Sequence, residues 1–175
     1  MERGLVHLYC GDGKGKTSCA MGLALRAAGR GMRVVVAQFL KGADSGERRS
    51  LARLPGVTLL EVPEQVKFSF AMNEAERLEA SGRFQALLEQ VEELARSGAC
   101  ELAVLDEVCA AVNTGMLPLE RVVDFLDHRP QGVEVVLTGR DPARELAERA
   151  DYWTEMVLRK HPYQQGITAR PGIEY

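Results

Sequence analysis

One short segment near the N-terminus combines glycines, lysines and a hydroxyl group: Gly11-Asp12-Gly13-Lys14-Gly15-Lys16-Thr17. Polyphosphate oxygens need several converging backbone N–H groups, and glycines allow the tight turn that Cβ atoms would obstruct. The Lys16 ammonium would supply charge to the phosphates, and the Thr17 hydroxyl can ligate Mg²⁺. The common pattern G-x-x-x-x-G-K-[ST] has a glycine where this chain has Cys10. The segment predicts a nucleotide phosphate loop with a modified start.

A pair of acids follows a later apolar run. Residues 101–107 read Glu-Leu-Ala-Val-Leu-Asp-Glu, so Asp106 and Glu107 come at the end of a predicted strand. In a parallel sheet such carboxylates reach the same edge as the phosphate loop. We expect one of the two to hold Mg²⁺, directly or through water, and the other to polarise a water or fix a loop.

Two arginines are weaker candidates for phosphate contacts. Arg140, in Thr138-Gly139-Arg140, follows another buried strand, where a guanidinium could bind phosphate with two parallel hydrogen bonds. A surface arginine near a helix start is an equally good interpretation. Arg26, late in the first predicted helix, is ambiguous in the same way.

Apolar runs of strand length alternate with helical stretches and would position these residues. Strands are predicted over residues 5–10, 33–39, 57–62, 102–106, 133–138 and 153–159. Helices are predicted over residues 16–30, over 84–95, and from Asp141-Pro142 with Asp as N-cap. Strands separated by helices indicate right-handed crossovers and a parallel sheet covered on both faces. Together with the phosphate loop they predict an α/β fold of the P-loop NTPase (RecA-like) type.

Composition narrows the class of protein. The chain has 175 residues, with 22 Lys+Arg against 25 Asp+Glu and a net charge of −3. That length predicts a single domain over residues 1–175. The near-neutral balance argues against a nucleic-acid binder, and no apolar run approaches the ~20 residues that span a bilayer. Four cysteines without a C-x-x-C pair make a zinc site unexpected and favour reduced thiols, and we expect Cys10 to be a buried, inert thiol. We therefore expect a cytoplasmic protein.

The motifs taken together resemble the P-loop type of ATP:corrinoid (cob(I)yrinic acid a,c-diamide or cob(I)alamin) adenosyltransferases. The family's loop reads T-G-N-G-K-G-K-T, so the missing first glycine is a family trait. The matching segments run in the family's order through nearly the whole chain: residues 10–17, 26–27, 36–42, 46–47, 105–107, 137–140, 151–156, 160–169 and 172–175.

The resemblance implies an activity that phosphate-binding motifs alone do not reveal. In this family, Co(I) of a reduced corrinoid attacks the 5′-carbon of ATP and releases triphosphate, in cobalamin biosynthesis or salvage. The nucleophile belongs to the substrate, so the protein must supply positioning and neutralise a triphosphate leaving group. The implied groups are Lys16, Glu107 and Arg140 as catalytic residues, and Thr17 with Glu107 for Mg²⁺, Asp106 acting directly or through water. ATP contacts would come from one set: Gly11, Asp12, Gly13, Lys14, Gly15, Lys16, Thr17 and Arg26.

The second substrate and the partners also follow from the resemblance. Family members use aromatic side chains in a Phe-x-Trp pattern against the corrinoid, and Phe68-Ser69-Phe70 is the corresponding segment here, with Phe70 in place of Trp. Loop packing is the alternative role for these rings. Longer members carry an N-terminal helical extension, whereas this chain starts close to its first strand. The family implies a homodimer and an electron donor for cobalt, with no nucleic acid or membrane partner.

Two other functions remain open at this stage. One is a P-loop phosphotransferase or NTPase that cleaves the γ-phosphate. The other is a nucleotide-gated binding module, for which no segment resembles a DNA recognition helix.

Overall fold

A parallel six-stranded sheet runs through the computed structural model, which describes residues 2–63 and 71–174. The strand order is β3-β2-β4-β5-β1-β6, and every neighbouring pair is parallel. The strands are β1 (Val6–Cys10), β2 (Val34–Gln38), β3 (Val57–Leu59), β4 (Leu102–Asp106), β5 (Glu134–Thr138) and β6 (Tyr152–Glu155). β2 and β4 are buried along their whole length, as expected for strands covered on both faces.

Helices pack on both faces of this sheet. They are α1 (Lys16–Ala28), α2 (Gly46–Leu51), α3 (Glu74–Arg96), α4 (Val108–Asn113), α5 (Leu119–His128) and α6 (Arg144–Ala147), followed by a 3₁₀ turn over Pro162–Gln165. Side chains of α1, with Leu51 of α2, cover one face, while α3, α4, α5 and α6 contribute to the core on the other. Alternate residues of β2 pack into the two cores, because Val34 and Val36 face α1 whereas Val35 and Ala37 face α3.

Register brings the carboxyl ends of the central strands together. Gln38 at the end of β2 pairs with Asp106 at the end of β4. Tyr9, one residue before the end of β1, pairs with Thr138 at the end of β5. Loops that leave these strands therefore begin at one edge of the sheet, which is where parallel α/β sheets bind ligands.

The predicted α/β class is confirmed, with differences at several element boundaries. β4 has the predicted bounds, whereas β3 ends at Leu59 and β6 at Glu155, earlier than predicted. The helix predicted to open at Asp141-Pro142 is wrong, because α6 begins at Arg144 after Ala143 as N-cap. Asp141 instead has a left-handed φ of 45°, and the Asn113 side-chain amide donates to its carbonyl at 3.0 Å, which holds this stretch as a loop. Three helices, α2, α4 and α5, have no counterpart among the predicted ones.

The cysteines are unpaired, and three of them are buried: Cys10, Cys100 and Cys109. Burial raises the pKa of Cys109 and of Cys100 to about 12, so both remain protonated thiols. The Cys10 sulfur accepts a hydrogen bond from the indole N–H of Trp153 at 3.1 Å. None of the helices in the described part of the chain combines the length and apolarity needed to cross a lipid bilayer.

Candidate functional site

The phosphate loop leaves β1 and turns directly into α1. Gly15, the N-cap of α1, has φ of 120°, a conformation that residues with a Cβ rarely adopt. Gly13 lies against the segment after β6, and its N–H donates to the Met156 carbonyl at 2.7 Å. A Cβ at Gly13 would lie 2.6 Å from that same oxygen. The glycines are thus required here by backbone shape and by close packing.

Lys16, the first residue of α1, places its ammonium inside the loop. The side chain is 8% exposed, and its Nζ donates to the carbonyls of Gly11 at 2.7 Å and Gly13 at 2.8 Å. Burial lowers the pKa of Lys16, while the nearby Glu107 carboxylate acts in the opposite direction. A desolvated ammonium surrounded by loop carbonyls is arranged for an incoming phosphate, which would offer it a stronger partner than carbonyl oxygens.

Asp106, at the end of β4, is fully buried and accepts three hydrogen bonds. Its Oδ1 accepts from the hydroxyls of Thr17 at 3.0 Å and Thr138 at 2.7 Å, and its Oδ2 accepts from the Gln38 amide at 3.0 Å. Thr138 also accepts a hydrogen bond from the backbone N–H of Glu107 at 2.8 Å. These contacts join β2, β4, β5 and α1 through one carboxylate.

Glu107 has a left-handed backbone conformation and a raised pKa. It is the N-cap of α4 with a left-handed φ of 61°, and left-handed non-glycine residues carry backbone strain. Burial, and then the charge of Asp106, raise the pKa of Glu107, and the cations Lys16, Lys41 and Arg140 only partly offset this. Strain and desolvation at a carboxylate that lines a cleft are features of functional sites.

A cleft of about 430 Å³ lies over the loop. It is lined by four cations, by the acids Asp12, Glu47, Glu107 and Glu174, and by small loop residues. The cations are Lys14, Lys16, Lys41 and Arg140. This combination of positive and negative side chains suits a highly charged phosphate chain that binds together with a divalent cation.

The chain's C-terminal segment lies over one side of the same cleft. The Lys14 ammonium donates to the carbonyl of Ile173 at 2.8 Å and to Glu174 Oε1 at 3.3 Å. The hydrogen bond from Arg170, assisted by Lys14, lowers the pKa of Glu174 to about 2. The segment therefore presents an ionised carboxylate to the loop.

Most of the predicted site residues meet at this cleft. Asp12, Gly13, Lys14, Gly15, Lys16, Thr17, Glu107 and Arg140 line it, and Gly11 and Asp106 contact the residues that do. Arg26 does not line the cleft, because it is exposed in the last turn of α1, about 15 Å along the helix axis from Lys16. Its role in ATP binding stays a prediction. Phe68 and Phe70 lie outside the described residues.

The fold also places here several residues that are not among the predicted site residues. Lys41 and Glu47 line the cleft, as do His161 and Ile173, and Gln38 contacts Asp106. The signal for Lys41 was its place just after β2, since loops that follow parallel strands reach the ligand edge. His161 and Ile173 depend on the path of the C-terminal segment, for which the sequence carries no local signal.

The donor chemistry fits magnesium. Within residues 2–63 and 71–174, no three His, Cys, Asp or Glu side chains form a metal cluster. Mg²⁺ is usually held by one or two protein oxygens together with waters and substrate phosphates. Thr17 and Glu107 supply hard oxygen donors of that kind.

Comparisons with known proteins show which family the chain resembles. The sequence model of the family described as "ATP:corrinoid adenosyltransferase BtuR/CobO/CobP" matches residues 2–175. The corrinoid adenosyltransferase of Pseudomonas aeruginosa is 37% identical over 175 residues, covering 99% of this chain and 85% of that protein. The Escherichia coli (strain K12) corrinoid adenosyltransferase is 33% identical over 174 residues, covering 99% and 87%.

Among solved structures, EssC (ATPases 2 and 3) from Geobacillus thermodenitrificans superposes with a TM-score of 0.52 at 13% identity. That match covers 97% of this chain and 35% of the EssC chain, and at such low identity it shows the P-loop ATPase fold alone. The family model matches residues 2–175 and these relatives are more than 30% identical, so the chain belongs to the ATP:corrinoid adenosyltransferase family.

Proposed function

We propose that this adenosyltransferase transfers the 5′-deoxyadenosyl group of ATP to the Co(I) centre of a corrinoid. Cobalt donates an electron pair to the ribose 5′-carbon, a Co–C bond forms, and the bond from that carbon to the α-phosphate oxygen breaks. The departing oxygen keeps the bonding pair, so inorganic triphosphate leaves with one more negative charge than it carried as part of ATP. The observation that supports this most is the set of four cations around the phosphate-loop cleft, in a chain that belongs to the corrinoid adenosyltransferase family.

The protein's part in this step is electrostatic. Lys14, Lys16 and Arg140 would bind the triphosphate oxygens, together with the backbone N–H groups of the loop and the N-terminal end of α1. These groups are held in place before the reaction, so they cost little reorganisation as charge develops on the leaving group.

We further propose that Mg²⁺ binds the Thr17 hydroxyl and the Glu107 carboxylate. The Thr17 hydroxyl donates its proton to Asp106, so its lone pairs are free for a cation. Asp106 already accepts three hydrogen bonds, which favours an indirect role through Thr17. When bound, the metal would neutralise part of the charge on the departing triphosphate.

The corrinoid, its reductant and the assembly are proposed from the family resemblance. We propose that Phe68 and Phe70 contact the corrinoid, that a separate electron donor delivers Co(I), and that the enzyme acts as a homodimer in the cytoplasm. Phe68→Ala should weaken adenosyl transfer and leave ATP binding intact. Unchanged turnover of cobalamin by Phe68→Ala would contradict the corrinoid assignment.

A product assay tests the main proposal. The purified protein is incubated with ATP, Mg²⁺, cobalamin and a strong reductant, and we expect inorganic triphosphate and a light-sensitive adenosylcorrinoid in equal amounts. Lys16→Met should abolish both products, whereas Arg53→Met, an exposed change in the turn after α2, should leave both at wild-type levels. Formation of ADP and phosphate without adenosylcorrinoid would overturn the proposal in favour of an NTPase or phosphotransferase.

A further inference from the structure

Lys41 is a cation of the cleft that lies outside the phosphate-loop motif. It follows β2 and precedes α2, and its ammonium forms an ion pair with the Glu47 carboxylate. The two side chains are 26% and 22% exposed, and both line the cleft over the phosphate loop. The pair is therefore mostly buried, at the edge of the site.

A buried amide holds this ion pair in a fixed position. Gln38 is 1% exposed, and its Nε2 donates to Glu47 at 3.4 Å and to Asp106 at 3.0 Å. Its Oε1 accepts from Arg48 at 3.0 Å, and Arg48 also donates to the Leu60 carbonyl at 2.9 Å. Every polar atom of the Gln38 side chain has a partner, so the segment carrying Lys41 is fixed to the carboxylate that orients Thr17.

Glu47 is ionised beside Lys41, and the Lys41 ammonium keeps hydrogen-bond donors for a further anion. Burial would raise the pKa of Glu47, but hydrogen bonds from Lys41 and Gln38 overcome it and lower that pKa below its usual range. Lys41 lines the same cleft as Glu107, the carboxylate of the proposed metal site. An ammonium has three N–H donors, and Glu47 uses one of them. By contrast, Lys16 spends two donors on loop carbonyls.

We propose that Lys41 is a triphosphate-binding residue of this enzyme, and that Glu47 and Gln38 are positioning residues for its ammonium. This inference rests on the proposed function in that the bound chain is the leaving triphosphate of ATP. Lys41 approaches the site from β2, on the side of the central strands away from the phosphate loop of β1. A cation there neutralises phosphate oxygens from the β2 side of the cleft, whereas Lys14 and Lys16 reach them from the β1 side.

Calorimetric titration with inorganic triphosphate and Mg²⁺ tests the inference without a corrinoid. A charge-assisted hydrogen bond contributes enough that Lys41→Met should weaken triphosphate binding by about 10- to 100-fold. Adenosine should bind as it does to the wild type. The matched control is Arg49→Met, which removes a cation of the same segment that is exposed and paired with Asp44. This control should bind triphosphate with wild-type affinity.

A double variant separates triphosphate binding from a merely structural role. If Lys41 only neutralised Glu47, then removing both charges in Lys41→Met/Glu47→Gln would restore triphosphate affinity. We expect instead that the double variant stays as weak as Lys41→Met. Glu47→Gln alone should bind triphosphate at least as tightly as the wild type, because the amide oxygen still accepts from Lys41 without cancelling its charge. The double variant also provides the measurement if Lys41→Met alone does not fold.

Two results would overturn the assignment: wild-type triphosphate affinity in Lys41→Met, or recovery of that affinity in the double variant. The proposed function fails in a different way, through a wild-type protein that makes no adenosylcorrinoid. Triphosphate binding by the variants still decides the role of Lys41 in that case.

Discussion

Gly13→Ala should disrupt the phosphate loop through steric contact alone. The added Cβ would lie 2.6 Å from the Met156 oxygen, 2.8 Å from the Met156 carbonyl carbon and 2.9 Å from the carbonyl carbon of Val157. All three atoms are backbone, so no side chain can rotate away. Restoring ordinary contact requires the loop and the segment after β6 to separate by about 0.8 Å. Overpacking of this kind costs about 1–3 kcal/mol of unfolding free energy.

The same displacement should reduce nucleotide binding more than stability. The Gly13 N–H bond to Met156 is 2.7 Å long and would lengthen, while the loop carbonyls that hold Lys16 would shift. A misplacement near 1 Å costs about 100-fold where geometry is decisive. We therefore expect Gly13→Ala to lower Tm by roughly 2–10 °C and to weaken ATP binding about 100-fold.

Gly22→Ala is the matched control, because it makes the same chemical change elsewhere. Gly22 lies inside α1, and a Cβ there would meet no atom within 4 Å. Alanine is favoured over glycine in a helix by about 0.5–1 kcal/mol, so this variant should be more stable than the wild type. Thermal unfolding and calorimetric ATP titration report both effects. Wild-type ATP affinity and Tm in Gly13→Ala would refute the steric argument.

Three further predictions concern Glu107 and its support. Glu107→Gly should be more stable than Glu107→Ala by about 1 kcal/mol in urea unfolding, because glycine adopts φ of 61° without strain; equal stabilities would exclude that strain. Because the pKa of Glu107 is raised, the unfolded chain releases this proton first as pH rises. Stability relative to Glu107→Gln should therefore fall between the ordinary carboxyl pKa and the raised one, and parallel pH–stability curves would contradict the shift. Thr138→Val removes a donor to Asp106 and the acceptor for the Glu107 N–H, so it should cost about 1–3 kcal/mol. Thr58→Val, at the exposed position of β3, should cost under 0.5 kcal/mol.

Local patterns predicted the parts of the fold that depend on burial and period. β2 and β4 are apolar up to their last residue because both of their faces are covered, and α1 follows from the phosphate loop that precedes it. The short helices were missed because α2 and α4 each have six residues, too few for a helical period to emerge. The helix start near Asp141 failed because a distant side chain, Asn113, binds the carbonyls of that stretch.

For the site, the sequence identified individual groups but not their mutual contacts. Lys16 and Thr17 were predicted from spacing within the phosphate-loop motif, and Asp106 from its place at the end of an apolar strand. Their relation through Gln38 and Thr138 depends on strand order, because β2 and β5 lie on either side of β4. The approach of the C-terminal segment to Lys14 spans 159 positions, a separation at which local sequence carries no signal.

The electrostatics of the site also predict a linkage between ligand binding and folding. Glu107 lies beside Asp106 with its pKa raised, and Lys16 is buried with its pKa lowered, so each group is held in a charge state that its surroundings disfavour. Bound Mg²⁺ would stabilise the ionised carboxylate of Glu107, and bound triphosphate would stabilise the charged ammonium of Lys16. ATP with Mg²⁺ at 100 times its Kd should then stabilise the fold by about 2.7 kcal/mol. In Glu107→Gln the benefit of adding Mg²⁺ to ATP should largely disappear while stabilisation by ATP alone remains. If Mg²⁺ still adds the wild-type stabilisation in that variant, the metal binds elsewhere. Glu107, with its strained backbone at the start of α4, would then lack the role proposed for it.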